Sequence, residues 1–221
     1  MIILENVSKI YKGDTYNINA VDDISLKINE GDFIAFMGKS GSGKTTLLNI
    51  IAALEKPSKG KCIIDDVETN GLGMLKMDRL RRDKVGVVFQ HFALVDEFSV
   101  FENVELVTDA LNMKRKEKNE KIKDALKKLG IYDLRSKLPR KISGGEKQRT
   151  AIARVLVKDS KYIIADEPTG ALDSENATNI MKIFKQLNEE GKTIIIATHD
   201  KDIASYANKI ITISNGKIEE G

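Results

Sequence analysis

The sequence predicts an α/β domain in which strands alternate with helices and a helical segment interrupts the alternation. Three features lead to this prediction. An apolar strand enters a glycine-rich turn and then a helix, strand and helix patterns alternate again near the C-terminus, and helical patterns dominate the middle. Such alternation is typical of α/β folds. The helical insertion is expected at about 92–157, between core segments 1–91 and 158–221.

The N-terminal part contains several strand patterns and one helix. Apolar and polar residues alternate in Ile24–Ile28, which is the period of a half-buried strand. Asp32–Met37 is an almost continuous apolar run that leads into Gly38, and a helix pattern follows from Thr45 to Leu54. The strands predicted here are Ile2–Val7, Ile24–Ile28, Asp32–Met37, Lys61–Ile64 and Val85–Phe89.

The middle of the chain has helix signals and a dense charge pattern. Ser99 and Glu102 have the spacing of a capping box, which marks a helix start. Lys114–Leu129 combines an apolar stripe with many lysines, and Gly130 is expected to end that helix. Two pairs there stand four apart in the favourable order, Glu117–Lys121 and Asp124–Lys128. The stretch is either an anion-binding patch or, more commonly for such runs, a solvated helix face.

The C-terminal part returns to strand and helix alternation. Lys161–Ala165 and Thr193–Ala197 are apolar, β-branched runs typical of buried strands. A long amphipathic helix fits between them, at Glu175–Glu190. Asn215-Gly216 suits a type I′ turn and predicts a hairpin that joins Ile210–Ser214 to Lys217-Ile218.

Composition bounds the possible function classes. The 221 residues carry a formal net charge of +3, without the clustered basic face that nucleic-acid binders usually show. The single cysteine, Cys62, excludes an internal disulfide framework and suits a reducing compartment. Met1–Asn6 lacks the pattern of a signal peptide, and Leu47–Leu54 is far shorter than the roughly 20 apolar residues of a membrane span. We therefore expect a cytosolic protein with no nucleic-acid partner and no span of its own.

A phosphate-binding loop is predicted directly after the strand Asp32–Met37. Residues 38–45 match G-x-x-x-x-G-K-[ST] at every fixed position, between a strand and a helix. Glycines let successive N–H groups point at an anion, the lysine reaches the β- and γ-phosphates, and the hydroxyl of Thr45 ligates Mg²⁺. The expected nucleotide-binding residues are Gly38, Ser40, Gly41, Ser42, Gly43, Lys44, Thr45 and Thr46.

Two acids end a buried strand farther along. Asp166 and Glu167 follow the apolar run Tyr162–Ala165. Acids also cap strands before turns without any catalytic role, and Pro168 comes next. Beside a phosphate loop, however, Asp166 suits a magnesium site and Glu167 suits a general base that polarises water.

A second helix start has the composition of an anion site. Ser143 and Glu146 form the spacing of a capping box, which alone means only a well-started helix. Gly144 and Gly145 weaken that start, and they make sense where an anion must approach the backbone.

Ser143-Gly144-Gly145-Glu146 resembles the signature sequence of ABC-transporter ATPase subunits. The family's other motifs occur in order, and the resemblance spans essentially the whole chain. Tyr11 resembles the aromatic that stacks on adenine, Gln90 the Q-loop glutamine, and His199 the switch histidine. Ala171-Leu172-Asp173 resembles the D-loop. Two departures, Lys39 for a frequent proline and Ile142 for the usual leucine, fall on no catalytic position.

The resemblance implies a fold and a mechanism. The fold is that of a P-loop NTPase, with a RecA-like core, an antiparallel β subdomain and an inserted helical subdomain. Two copies close head to tail, so that ATP on one loop meets Ser143 and Gly145 of the other copy. Glu167 activates water and His199 contacts the γ-phosphate. The family uses Gln90 with Thr45 and Asp166 at the magnesium, and it also counts Lys44 as catalytic and Gly144, Glu146 and Asp173 as nucleotide contacts.

The resemblance also implies partners. The motor works at the cytoplasmic face of the cell membrane as a peripheral subunit of a membrane permease. Asp166–Ser174 and the extended segment Lys9–Val21 look like the subfamily of lipoprotein-release, macrolide-export and peptide-resistance transporters. Leu129–Arg135 and Ile142–Thr150 favour bacitracin-type resistance, and Phe92–Glu97 favours bacteriocin export. We therefore expect antimicrobial-peptide export or resistance, with lipoprotein, macrolide or lipid handling as the alternative.

Three other classes compete with the transporter motor. A P-loop kinase shares residues 38–45 but has no need of Gln90, Ser143–Glu146 or His199. ABC-type ATPases of DNA repair or translation usually carry a long coiled coil or two cassettes, and about fifty residues between Gln90 and Ser143 are too few for such a coil. A regulatory cassette without activity is expected to lack Glu167 or His199.

Overall fold

The computed structural model describes residues 1–13, 16–111 and 113–219, which form two β-sheets and seven α-helices. The strands are β1 Ile2–Lys12, β2 Asn17–Ile28, β3 Phe33–Met37, β4 Lys59–Ile64, β5 Val67–Glu68, β6 Val85–Val88, β7 Tyr162–Asp166, β8 Thr193–Thr198, β9 Lys209–Ser214 and β10 Lys217–Ile218. The helices are α1 Lys44–Ile51, α2 Met74–Lys84, α3 Val100–Thr108, α4 Arg115–Lys128, α5 Gly144–Val157, α6 Ser174–Glu189 and α7 Lys201–Ala204. Short 3₁₀ turns occur at Tyr132–Leu134 and Pro139–Lys141.

The larger sheet has six strands in the order β10-β9-β3-β8-β7-β6, and only its β9–β10 pair is antiparallel. In the parallel part Met37 of β3 is in register with Thr198 of β8, and Asp166 of β7 is in register with Ala197. The carboxyl ends of β3, β7 and β8 therefore meet at one edge. Ligands bind at this edge in open α/β sheets.

Strand β3 shows why this sheet is buried on both faces. Phe33 and Ala35 point into one hydrophobic core, and Ile34 and Phe36 point into another. Successive side chains of a strand alternate between faces, so an unbroken apolar run requires cover on both sides. Helices α3, α4, α5 and α6 pack over one core, and α1 with the smaller sheet packs over the other. The predicted α/β class is confirmed.

The smaller sheet is antiparallel, with the order β2-β1-β4-β5. Its β1–β2 ladder is much longer than the predicted strands Ile2–Val7 and Ile24–Ile28, and it continues to the pair Lys12 and Asn17. Register shifts between Leu4 and Ile10 bend the ladder, and they hide its period from the sequence. Residues 14 and 15 of the predicted segment 9–21 lie outside the described residues.

Helix ends follow the predicted caps, with one exception. Ser99 and Ser143 each form a complete capping box, at α3 and α5. Asn215 and Gly216 have φ of +49° and +79°, which confirms the type I′ hairpin between β9 and β10. Helix α1, however, stops before the predicted Leu54. Ala53 adopts φ +54°, and Leu54 N donates to Asn49 O at 2.8 Å, so the chain leaves the helix through a Schellman turn without glycine.

Helices α3, α4 and α5 lie between β6 and β7, and the described residues form no strand there. Three of the six α4 lysines, Lys118, Lys121 and Lys128, contact acids of the described chain. The predicted pair Glu117–Lys121 is present at 3.8 Å, and Lys118 contacts Glu105 and Asp109. The predicted pair Asp124–Lys128 is wrong, because Lys128 instead contacts Glu190, the residue directly after α6. This pattern agrees with a solvated helix face. The boundaries of an inserted subdomain at 92 and 157 stay a prediction.

Candidate functional site

The phosphate loop runs from the end of β3 into α1, and close packing explains its glycines. A Cβ atom on Gly38 would lie 2.2 Å from the carbonyl oxygen of Ile213. Gly43 has φ +104°, and a Cβ atom there would lie 2.1 Å from the carbonyl oxygen of Ala20. Gly41 also has positive φ, at +79°, but faces open space. The loop is thus wedged between β9 and β2, and only glycine fits at its two ends.

Lys44 lies folded against this loop. Its side chain is buried, and Nζ donates hydrogen bonds to the carbonyl oxygens of Gly38 at 2.7 Å and Lys39 at 3.0 Å. An ammonium group held by neutral carbonyls keeps its charge available for a phosphate. The arrangement places one cation at the centre of a curled backbone.

Thr45 and Asp166 connect α1 to β7. The Thr45 hydroxyl donates to Oδ2 of Asp166 at 2.8 Å, while the other carboxylate oxygen, Oδ1, is buried and has no hydrogen-bond partner among the described residues. Burial raises the pKa of the Asp166 carboxyl, the Thr45 hydrogen bond lowers it, and the neighbouring charge of Glu167 raises it. A buried oxygen without a partner is unfavourable unless something binds there.

Glu167 follows β7 in an unusual backbone conformation. Its φ is +45°, a left-handed value that costs energy for a residue with a Cβ atom. The backbone N–H donates to Ala197 O at 3.0 Å, and the carboxylate oxygen Oε1 lies 2.9 Å from Nδ1 of His199. Because an ionised carboxylate only accepts, Nδ1 is the donor of this contact. The Glu167 side chain is 16% exposed and that of His199 is 69% exposed.

These groups line one open cavity of about 710 Å³. Ala20 of β2 and Gln90 behind β6 close its sides. A Cβ atom on Gly170 would lie 3.0 Å from Nε2 of Gln90, so that side chain also touches the turn after Glu167. Ten residues of the predicted site line the cavity: Ser40, Gly41, Gly43, Lys44, Thr45, Thr46, Gln90, Asp166, Glu167 and His199. Gly38 and Ser42 belong to the same loop, and Ser42 O accepts a hydrogen bond from Gly216 N.

Tyr11 is not among the cavity-lining residues. It lies on β1 opposite Ile18, and its ring is 38% exposed. Lys9 Nζ stands 5.3 Å from the ring centroid, and the hydroxyl donates to Glu55 Oε2 at 2.8 Å. The ring is thus held at the surface of the antiparallel sheet.

The signature residues Ser143–Glu146 also do not line the cavity of their own chain. Ser143 N donates to Glu146 Oε2 at 2.7 Å, and Glu146 N donates back to Ser143 Oγ at 3.3 Å. Gly145 is buried, and a Cβ atom on it would lie 2.3 Å from Oδ1 of Asn176.

Asp173 is likewise not among the cavity-lining residues. It caps α6 by accepting hydrogen bonds from the backbone and the side chain of Asn176, at 2.9 and 2.8 Å. The start of α5 and the start of α6 are therefore packed together, away from the phosphate loop.

Sequence reasoning missed four residues at or near this site. Lys39 and Ala20 line the cavity. Asn176 covers Gly145, and Gln148 donates to Pro168 O at 2.7 Å. Nothing marks Ala20 in the sequence, because the contact uses its backbone. Gln148 lies on α5, within the segment Ile142–Thr150 named above, but the sequence does not indicate that its partner is Pro168.

Comparison with known proteins assigns the family. The model of the ABC transporter family matches residues 21–170. The ABC transporter ATP-binding protein MJ0796 of Methanocaldococcus jannaschii is 43% identical, with 99% of this chain and 95% of that protein aligned. The macrolide export ATP-binding/permease protein MacB of Aggregatibacter actinomycetemcomitans is 43% identical over 99% of this chain, which corresponds to 34% of MacB.

A solved structure is also closely similar. It is the dimeric, post-hydrolysis state of the ATP-binding cassette MJ0796 bound to ADP and Pi. Its TM-score is 0.92 at 40% identity, and the match covers 100% of this chain and 97% of the other. The predicted P-loop NTPase fold of ABC ATPases is thereby confirmed. The chain belongs to the ABC transporter family and is one of its ATP-hydrolysing, ATP-binding domains.

Proposed function

We propose that the 710 Å³ cavity is where this chain hydrolyses ATP with Mg²⁺, and that two copies together drive a membrane permease. One observation carries the proposal. A hydrogen-bonded pair, Glu167 and His199 at 2.9 Å, lines the same cavity as the phosphate loop and the Thr45–Asp166 contact. The residues needed to hold phosphates, a divalent cation and an attacking water therefore meet in one place.

The donor set fits Mg²⁺. Thr45 Oγ1 and the buried, unpartnered Oδ1 of Asp166 are hard oxygen atoms, the type that Mg²⁺ prefers. The described residues contain no cluster of three or more His, Cys, Asp or Glu that could hold a metal. Mg²⁺ typically takes only one or two protein oxygens and completes its shell with waters and phosphates. When bound, the ion neutralises charge on the β- and γ-phosphates, and Thr45, Asp166 and Gln90 are the residues that would hold it.

The chain's own groups account for the chemistry. Lys44 exchanges its two loop carbonyls for the β- and γ-phosphates of ATP. Glu167 accepts a proton from the attacking water, whose oxygen bonds to the γ-phosphorus while the bond to the β–γ bridging oxygen breaks. ADP and inorganic phosphate leave. His199 donates to Glu167 and so fixes the direction of its carboxylate, and its exposed ring reaches the γ-phosphate.

The off-cavity signature supports a head-to-tail dimer. Ser143, Gly144, Gly145 and Glu146 have the features of an anion-binding helix start, yet they do not line their own chain's cavity. In a head-to-tail pair these residues and Asp173 close the cavity of the other copy. Tyr11 stacks on adenine from the antiparallel sheet. The similar solved cassette, MJ0796, is dimeric, which supports this arrangement.

The partner is a membrane permease, with the motor at the cytoplasmic face. Among the described residues no helix has the length and apolar character to cross a bilayer. The permease contacts an inserted helical subdomain at 92–157, with Gln90 between that subdomain and the cavity. The sequence motifs favour export of, or resistance to, antimicrobial peptides. The similarity to a macrolide export protein favours the second candidate, a macrolide or lipoprotein substrate.

The Glu167→Gln variant tests the site and the dimer together. It keeps the size of the side chain and removes the base, so ATP should bind without turnover and trap a dimer. We expect light scattering to report twice the monomer mass with ATP and monomer with ADP. Glu189→Gln, at the exposed end of α6, is the matched control and should turn ATP over as the parent does. A Glu167→Gln protein that hydrolyses ATP as fast as the parent, or stays monomeric with it, contradicts the proposal; only a small residual rate is expected.

Substrate class is tested in cells. The ATPase and its permease are expressed in a sensitive strain, and growth is compared with a cyclic peptide antibiotic and with a macrolide. Protection against the peptide alone supports the first candidate, and protection against the macrolide alone supports the second. The Glu167→Gln variant should remove either protection.

A further inference from the structure

Gln148 makes a contact that links two parts of the proposed site. It lies on α5, five residues after Ser143, and its side chain is fully buried. Nε2 donates to the carbonyl oxygen of Pro168 at 2.7 Å. Because a carbonyl only accepts, the amide nitrogen and not the amide oxygen must face Pro168.

The accepting carbonyl belongs to the turn that follows Glu167 in the chain. Pro168 is buried and has no N–H, so its carbonyl is its one backbone hydrogen-bonding group. Glu167 directly before it has φ +45°, a conformation that persists only where the surroundings hold it. Gly170 N donates to Glu167 O at 3.1 Å from within the turn, whereas Gln148 holds the turn from a different helix.

Stability alone does not explain a glutamine at this position. The other half of its amide, Oε1, is buried without a hydrogen-bond partner among the described residues. A buried acceptor without a partner costs folding free energy, and this cost at Oε1 offsets part of what the hydrogen bond to Pro168 contributes. Residues that break a packing rule in this way concentrate at functional positions.

We propose that Gln148 is a positioning residue that holds the Glu167 carboxylate in its hydrolytic orientation and couples it to the signature start of α5. The inference rests on the proposed roles of Glu167 and of Ser143–Glu146 in a head-to-tail dimer. One end of α5 contacts the nucleotide of the other copy, and Gln148 on the same helix holds the turn of its own cavity. Nucleotide binding at the cavity of one copy thereby changes the position of the catalytic base, Glu167, in the cavity of the other copy.

The Gln148→Met variant removes the donor and keeps the length. We expect kcat for ATP to fall about tenfold, since misplacing a catalytic group by about 1 Å costs up to about a hundredfold. KM for ATP should stay within about twofold, because no phosphate contact is lost. Thermal stability should change little, because the variant removes one buried acceptor without a partner, Oε1, and leaves another, the Pro168 carbonyl. The matched control is Thr150→Val on the same helix, whose buried hydroxyl donates only to Glu146 O, and it should leave kcat unchanged.

A double-mutant cycle separates positioning from general packing. In the Glu167→Gln background, Gln148→Met should not lower the residual single-turnover rate further, because Gln148 acts through Glu167. A further tenfold loss there, or a parental kcat in the single variant, overturns the inference. If Gln148→Met proves too unstable, Gln148→Leu is compared in the same cycle, since its side chain cannot donate to Pro168 O either. A parent enzyme whose hydrolysis does not depend on Glu167 would refute the proposed function instead.

Discussion

The hydroxyl of Thr45 donates to Asp166 across 121 positions of sequence, with 2.8 Å between Oγ1 and Oδ2. This contact joins the start of α1 to the end of β7, and Asp166 Oδ1 stays buried without a hydrogen-bond partner in the part of the chain that the structure describes. The two side chains thus bring two hard oxygen atoms, Thr45 Oγ1 and Asp166 Oδ1, to the part of the cavity where we expect the cation.

Thr45→Ala should weaken magnesium-dependent turnover. Loss of an oxygen next to a charged group typically costs about 1.5–3 kcal/mol, which corresponds to an increase of about 10- to 150-fold in the Mg²⁺ concentration for half-maximal hydrolysis. Thr45→Ser keeps the hydroxyl and is the control. Equal Mg²⁺ curves for the alanine and serine variants would count against this ligand assignment.

Asp166→Asn should stabilise the nucleotide-free protein while it removes activity. Burial raises the pKa of Asp166 above its ordinary value of 3.8, so ionisation destabilises the folded state at neutral pH. That penalty fades as pH falls below the raised pKa. We expect a higher Tm at neutral pH, by about 2–4 °C for each kcal/mol relieved, and a shrinking gain toward acid pH. The exposed Asp133, changed to Asn, should show no such pH-dependent gain.

Gly43→Ala should abolish nucleotide binding and lower stability. An alanine there meets the Ala20 carbonyl at 2.1 Å and must adopt φ +104°. Gly41→Ala is the matched control, because Gly41 also has a positive φ but faces open space. It should lower the free energy of unfolding by only about 1–2 kcal/mol. Thermal unfolding and binding of a fluorescent ATP analogue measure both effects. Equal losses in the two variants would mean that the contact with β2 is unimportant.

Tyr11→Ala should weaken ATP binding by about 1–3 kcal/mol, the usual range for a base stacked on an aromatic ring. Tyr11→Phe keeps the ring and loses only the hydrogen bond to Glu55, so it should bind nearly as the parent does. Isothermal titration with ATP distinguishes the variants. Parental affinity in the alanine variant would place adenine elsewhere.

Cys62 should resist alkylation in the folded protein. Its side chain is fully buried, and burial raises the pKa of the thiol to about 11, whereas a free cysteine titrates near 8.5. Iodoacetamide at about pH 9 should therefore label it only after denaturation in guanidinium. Rapid labelling of the native protein would show that the β4 core opens.

Local spacing made much of the site predictable. The pattern of residues 38–45 follows β3, and the acids Asp166 and Glu167 stand at the end of β7. These strands are parallel and only β8 lies between them, so their carboxyl ends share one sheet edge. The Ser143 capping box was equally accessible, since it joins residues three apart. The roles of Tyr11, Asp173 and the signature residues stay predictions, because they depend on a nucleotide and a second copy.

Contacts without a sequence period could not be predicted. Helix α2 buries only Met77 and Leu80, too few for a recognisable stripe, and it was missed. Lys128 contacts Glu190 because α4 packs beside the end of α6, and the spacing within α4 carries no information on that neighbour. The left-handed Ala53 ends α1 without the glycine that usually signals such a turn.

The close approach of Ala20 to Gly43 means that the antiparallel sheet touches the phosphate loop directly. The β9–β10 turn joins them at the same place, because Gly216 N donates to Ser42 O at 2.9 Å and Asp22 N donates to Gly216 O at 2.8 Å. A substitution that shifts the β1–β2 hairpin should therefore move the loop as well. The smaller sheet is thus a mechanical support of the phosphate loop, although it contributes none of the loop's own residues.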